Sequence, residues 1–146
     1  MKRCALSSLR RLPRMPKHKP KPISAQPKQD DSGKRRPLFS FRHLNMRVSV
    51  KGCDNKIFRE FTKRLVALSE RTWNEINSSD KHQYGFEKIN RSQIKPARSI
   101  PEAFNDVKKF PVFRAAGDNH AFVCYISEGV IYPIFIEANF GDVYHE

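Results

Sequence analysis

The chain is 146 residues long and carries 28 Lys and Arg against 15 Asp and Glu, a formal net charge of +13. That length holds one domain and a tail, and no apolar stretch approaches the ~18–20 residues that span a bilayer. Residues 1–36 hold twelve of the basic groups against Asp30 and Asp31 alone, a net +10, so the surplus belongs mostly to the N-terminal stretch and points to a polyanion partner. Cys4, Cys53 and Cys124 are widely spaced and form no CxxC pair, which fits idle or buried thiols of a reducing compartment better than a zinc or redox site. Ala5-Leu6 is soon followed by Arg10-Arg11, leaving no apolar signal-peptide region. The expectation is a soluble, cytoplasmic protein with no membrane contact.

Six of the ten prolines (Pro13, Pro16, Pro20, Pro22, Pro27, Pro37) fall within residues 1–37, among Lys, Arg, Ser and Gln. Such a segment buries too little apolar surface to offset its ordering entropy, which predicts a disordered tail. Three readings of that tail stand. It can tether a polyanion by neutralising phosphates. Its first fourteen residues, with Arg and Ser and no acid, also suit a transit peptide. It can equally be an idle or solubilising extension.

Residues 38–146 read as a single α+β domain. Leu38-Phe39-Ser40-Phe41 and the alternation of Met46, Val48 and Val50 with Arg47, Ser49 and Lys51 suit half-buried strands. Asp54 offers an N-cap to a long helix running to about Asn77. Ile57, Phe61, Leu65, Leu68, Thr72 and Ile76, flanked by Phe58 and Trp73, form its apolar stripe, while Lys56, Arg59, Lys63 and Arg71 share another. That basic stripe serves either as a solvated face or as a set of phosphate contacts. Asn77-Ser78-Ser79-Asp80 stops the helix, Tyr84–Ile89 suits a short strand, and Asn90–Ser99 reads as an exposed loop. Pro101 suits the first turn of a short helix ending near Lys109.

The last third predicts a β-meander of Val112–Ala116, His120–Ser127 and Val130–Glu137. Glu128-Gly129 is a two-residue hairpin turn. Ala121–Ile126, apolar on both faces, suits a central strand. Pro133 implies an edge position or a bulge for the last long strand, and Asn139-Phe140-Gly141-Asp142 closes the chain with a turn.

Neither a Walker loop, a GxGxxG, an HExxH nor a zinc-finger spacing occurs, and the acids are scattered, so chemistry without metal or other cofactor is expected. Lys108 and Lys109 precede the first meander strand, Arg114 lies within it, His120 opens the second, and Tyr144-His145 ends the chain. Metal-free RNA cleavage needs a base for the ribose 2′-hydroxyl, cations for the phosphorane and an acid for the leaving oxygen. Lys or His can serve as base, Arg as clamp, and Tyr or His as acid. Each also has a plain structural reading: Arg114 as a solvent-facing strand residue, His120 as a turn histidine, Tyr144 as an edge aromatic, His145 as a frayed terminus.

The order of a long helix, a connecting segment and "FPVFRAAGDNHAFVCYISEGVIYPIFIEANFGDVYHE" resembles the C-terminal half of RelE/ParE-type toxins. Phe122–Ile136 matches the family's apolar hairpin and Asp142-Val143-Tyr144 its acidic-Val-Tyr ending. Asn139-Phe140-Gly141 stands where the family commonly has a basic residue. The resemblance implies a RelE-like sheet against one long helix and, from the ribosome-dependent branch, messenger-RNA cleavage checked by a bound protein antitoxin. It implies Arg114 and His120 as phosphate stabilisers and Tyr144 as acid or orienting group; on that reading Lys109 or His145 would be the base. Lys56, Arg59, Lys63, Arg71 and Lys108 would then contact RNA. A non-catalytic RNA- or ribosome-binding protein of the same shape, tethered by its tail, is the alternative.

Overall fold

The computed structural model describes residues 31–49, 53–96, 99–115, 120–139 and 141–144; the stretch 1–30, Val50 and His145 lie outside the described residues. In chain order the elements are β1 (Leu38–Phe39), α1 (Met46–Ser49), α2 (Asn55–Ser69), α3 (Trp73–Ser78), β2 (Phe86–Asn90), β3 (Lys109–Arg114), β4 (Ala121–Ser127) and β5 (Val130–Ile136). This is the expected α+β class, a mostly antiparallel sheet against one main helix. The five strands lie in the order β1-β5-β4-β3-β2. The meander β2 to β5 is antiparallel, and β1 adds to its edge in parallel, Leu38 against Val130.

β4 is buried on both faces, and each face has its own cover. Phe61 and Leu68 of α2 with Trp73 and Ile76 of α3 pack on Phe113, Phe122, Cys124 and Ile131. On the opposite face, Ile94, Ile100, Phe104, Val143 and Tyr144 from irregular segments cover Val112, Val123 and Phe135. The stretch Asn90–Ser99, expected as an exposed loop, therefore supplies core: Ile94 is 2% exposed and bridges to Tyr144 in antiparallel fashion.

The long helix divides where the sequence suggested continuity. Asp54 caps α2 as expected, accepting the Ile57 N–H at 2.9 Å. Thr72, which fits the stripe, instead caps α3: its hydroxyl accepts the Glu75 N–H at 3.3 Å and Glu75 Oε2 accepts the Thr72 N–H at 2.7 Å. Between the helices Arg71 leaves the stripe, its guanidinium 3.5 Å over the Tyr84 ring. The short helix expected after Pro101 is only a 3-10 turn, Glu102–Phe104. Arg91 Nη1 donates to the carbonyls of Phe104 (2.6 Å) and Val107 (3.3 Å), which holds the chain in a loop until Lys109 enters β3.

The expected strand at Met46–Val50 is also replaced. Asn45 accepts the Val48 N–H at 3.0 Å and starts the single turn α1, within which Ser49 is fully buried. Its hydroxyl accepts the Ile136 N–H at 3.1 Å and donates to the Ile134 carbonyl at 3.5 Å. Those groups flank the bulge that Pro133 foretells, where the β4–β5 register shifts from Val123–Phe135 to Cys124–Pro133. The hairpin turn holds as read, with φ of 51° at Glu128 and 78° at Gly129. Order reaches further upstream than Leu38: Ser32–Lys34 form a 3-10 turn, and the Arg35 carbonyl accepts the Trp73 N–H at 2.9 Å.

Ser49→Ala removes the partner of a buried strand amide, and a loss of about 1–3 kcal/mol of stability is expected. Urea unfolding measures it; a change within experimental error would mean that the bulge is satisfied without Ser49.

Candidate functional site

Arg114 ends β3, with Glu87 diagonal to it on β2 and on the same face of the sheet, since Glu87 pairs with Val112. Tyr144 reaches that face from the C-terminal segment. Arg114 Nη2 donates to Glu87 Oε1 at 3.1 Å and to the Tyr144 hydroxyl at 3.2 Å; that hydroxyl donates to Glu87 Oε1 at 2.9 Å. Lys81 Nζ completes the cluster, 3.0 Å from Glu87 Oε2. The Arg114 side chain is 8% exposed and that of Glu87 23%, so water meets the cluster through Glu87 and Lys81. Burial, and then the Glu87 carboxylate as hydrogen-bond partner and charge, pushes the Tyr144 pKa well above its ordinary value. The Tyr144 hydroxyl is thereby held as a donor to Glu87 Oε1.

The segment carrying Tyr144 is held by a second buried carboxylate. Glu137 is 1% exposed, and its Oε2 accepts the Gly141 N–H at 3.0 Å. Burial raises its pKa, against the lowering effect of N–H donors from Gly141, Val143 and Ala121 and of nearby His120. Asp142 closes the same turn by accepting the Asn139 N–H at 3.2 Å.

The other expected site residues do not join this cluster. His120 shares the α2 face with Phe122, in a narrow cleft with Ile57, Glu60 and Phe61, and its Nδ1 is buried without a hydrogen-bond partner. Arg114 projects from the opposite face, so the sheet separates the two stabilisers. Lys109 opens β3 opposite Asn90, at the far end of the strand from Arg114, roughly 17 Å away at ~3.3 Å per residue. There it lines a groove with Lys88, Trp73 and Asn77. His145 lies outside the described residues.

Of the expected RNA contacts, Lys56, Arg59 and Lys63 are exposed on α2, with Lys63 paired to Glu60 at 3.0 Å. Arg59 and Lys63 flank half-buried Phe58 and exposed Val66 on the outer side of that helix. Arg71 is stacked on Tyr84 instead. Lys108 is exposed beside Arg91, whose N–H donates to its carbonyl at 2.8 Å. Among the described residues no group of three His, Cys, Asp or Glu side chains is placed to hold a metal ion, and no helix is long and apolar enough to cross a membrane.

Glu87, Lys81 and Glu137 escaped the sequence reading. Glu87 had a legible signal: it shares strand parity with apolar Ile89, which turns a carboxylate inward. Lys81 and Glu137 had none, because their roles depend on where turns fold back.

Burial works to raise the Glu87 pKa, but hydrogen bonds from Lys81 and Tyr144 and the charges of Lys81 and Arg114 outweigh it, and the net value lies below the ordinary 4.5. Its stabilisation is complete above the unfolded-state pKa and is lost as pH falls through the lowered folded value. Glu137, with a raised pKa, has the opposite sign: its contribution declines as pH rises through that raised value. Glu87→Gln should therefore lose about 2–3 kcal/mol at neutral pH and approach wild-type stability as pH falls through the lowered Glu87 value. Denaturant unfolding across pH checks this, and a gap that stays constant into acid would exclude Glu87 as the charged centre of the cluster. No protein-family model matches the chain, and no curated protein or solved structure matches it.

Proposed function

We propose that the protein is a non-catalytic RNA-binding protein, which holds its partner through exposed cations and the basic N-terminal stretch. The observation that carries this reading is the position of Lys109. It stands in a basic groove, at the far end of the strand from Arg114 and Tyr144, while the two residues that do meet spend their polar groups on Glu87. Exposed cations beside a polyanion gain affinity by releasing counterions, and buried, paired ones do not. In filter binding, affinity for single-stranded RNA should fall at least about tenfold between ~50 and 200 mM salt. Changing Arg10, Arg11, Arg14, Lys17, Lys19 and Lys21 to Ser should flatten that dependence. Absence of RNA retention at low salt would overturn the reading.

One observation favours a second reading, the toxin-type endoribonuclease: Arg114 and Tyr144, both assigned to the catalytic set by the RelE/ParE resemblance, lie 3.2 Å apart. On that reading the message would be cut on the ribosome without metal, and a protein antitoxin would silence the enzyme. Inducible expression in bacteria with primer extension separates the two. New 5′ ends inside translated regions, absent in Arg114→Ala, would establish cleavage; intact messages and normal growth are expected from a binding protein.

A further inference from the structure

Two grooves on the α2 side of the sheet meet at Trp73, Asn77 and Ile126. The larger, about 890 Å³, carries Lys34, Arg35 and Arg36 on the segment entering β1, with Asn74 and Asn77 of α3. The smaller, about 420 Å³, carries Lys88 of β2 and Lys109 of β3. All five cations are exposed. The acids near them are Asp31, 3.1 Å from Lys34, Glu128 at the hairpin tip, and Glu75, whose carboxylate interacts electrostatically with Arg36. Trp73 sits where the grooves join. Its indole Nε1 is buried with no hydrogen-bond partner and lies beside Gly129, where a Cβ would come within 3.6 Å of it. The residues preceding Asp31 hold nine further Lys and Arg and a single acid, Asp30. The basic stretch thus joins the fold at the rim of the larger groove.

We propose that one single-stranded RNA segment crosses this joined groove, and this assignment rests on the RNA-binding reading above. Its phosphates would lie between the Lys34–Arg36 cations and the Lys88–Lys109 pair. The exposed amides of Asn74 and Asn77 meet base edges. Charge complementarity selects the occupant. The cationic N-terminal stretch is repelled from a groove that already carries five cations, and an apolar helix would leave those cations facing hydrocarbon. A concave channel with cations at both ends suits one strand better than a duplex, whose phosphates are reached across a wide face.

Trp73 is the single tryptophan of the chain, so all tryptophan emission comes from the junction of the two grooves. The full-length protein is titrated into a labelled oligouridine of about twelve nucleotides, following label anisotropy and tryptophan emission together. Emission should change saturably with the same midpoint as anisotropy. Lys88→Glu with Lys109→Glu, and separately Arg35→Glu with Arg36→Glu, should each weaken binding about tenfold or more. Arg42→Glu with Arg47→Glu, exposed cations outside the groove, should weaken it less than about threefold. If anisotropy rises while emission stays flat, and groove and comparator reversals weaken binding alike, the groove assignment fails and RNA binding stands. If wild type shows no anisotropy change at low salt, both fail. Tighter binding of a duplex of equal length, or displacement by oligoglutamate as efficiently as by oligouridine, would also overturn the single-strand assignment.

Discussion

A central strand that is apolar on both faces needs two covers, and this requirement shapes the whole molecule. Helices α2 and α3 meet one half of it through a conventional amphipathic stripe. The other face is closed by segments without regular structure, whose backbone groups must find partners away from water. Arg91 collects the carbonyls of Phe104 and Val107, and the carboxylate of Glu137 collects the Gly141 amide. Glu137 is buried and Arg91 half-buried; their desolvation costs free energy and returns fixed loop geometry, so polar residues do for the second cover what helix hydrogen bonds do for the first.

The cations of the domain divide by environment. Arg114 and Arg64 are nearly buried and engaged, Arg114 on Glu87 and Tyr144, Arg64 through Nη1 on the Gln83 carbonyl. Lys34, Arg35, Arg36, Lys88 and Lys109 stand in water. The same residue types therefore perform two jobs. Inside, a guanidinium orders local backbone and neutralises a carboxylate; outside, it remains available to an incoming anion. Composition cannot separate these roles, and strand parity or turn geometry can.

Much of the scaffold was legible. The hairpin at Glu128-Gly129, the bulge at Pro133 and the Asp54 cap follow from local stereochemistry, and the two-faced apolar run Ala121–Ile126 identified the central strand. The errors have local causes as well. Thr72 and Glu75 form a capping box, yet Thr72 also fits the three- and four-residue stripe, and the two signals conflict at that position. Met46 and Val48 alternate as a strand would, but Asn45 starts a helical turn in front of them. Site prediction fared less evenly. Arg114 and Tyr144 meet, whereas His120 lies on the opposite face, as counting back from inward-facing Phe122 shows. The groove at Trp73 had no sequence signal, because it exists only once the segment before β1 folds back along the hairpin.

The parallel pairing of Leu38 with Val130 joins the first strand of the domain to the last. Most of the chain must be synthesised before β1 has anything to pair with, and closing so large a loop is entropically slow. The antiparallel meander can zip between neighbours, so the contact order would make the docking of β1 on the β5 edge a late, clasp-like step. Until then that edge is open to pairing with other chains. The like-charged extension just upstream would keep emerging copies apart during that interval, a service to solubility separate from any binding role.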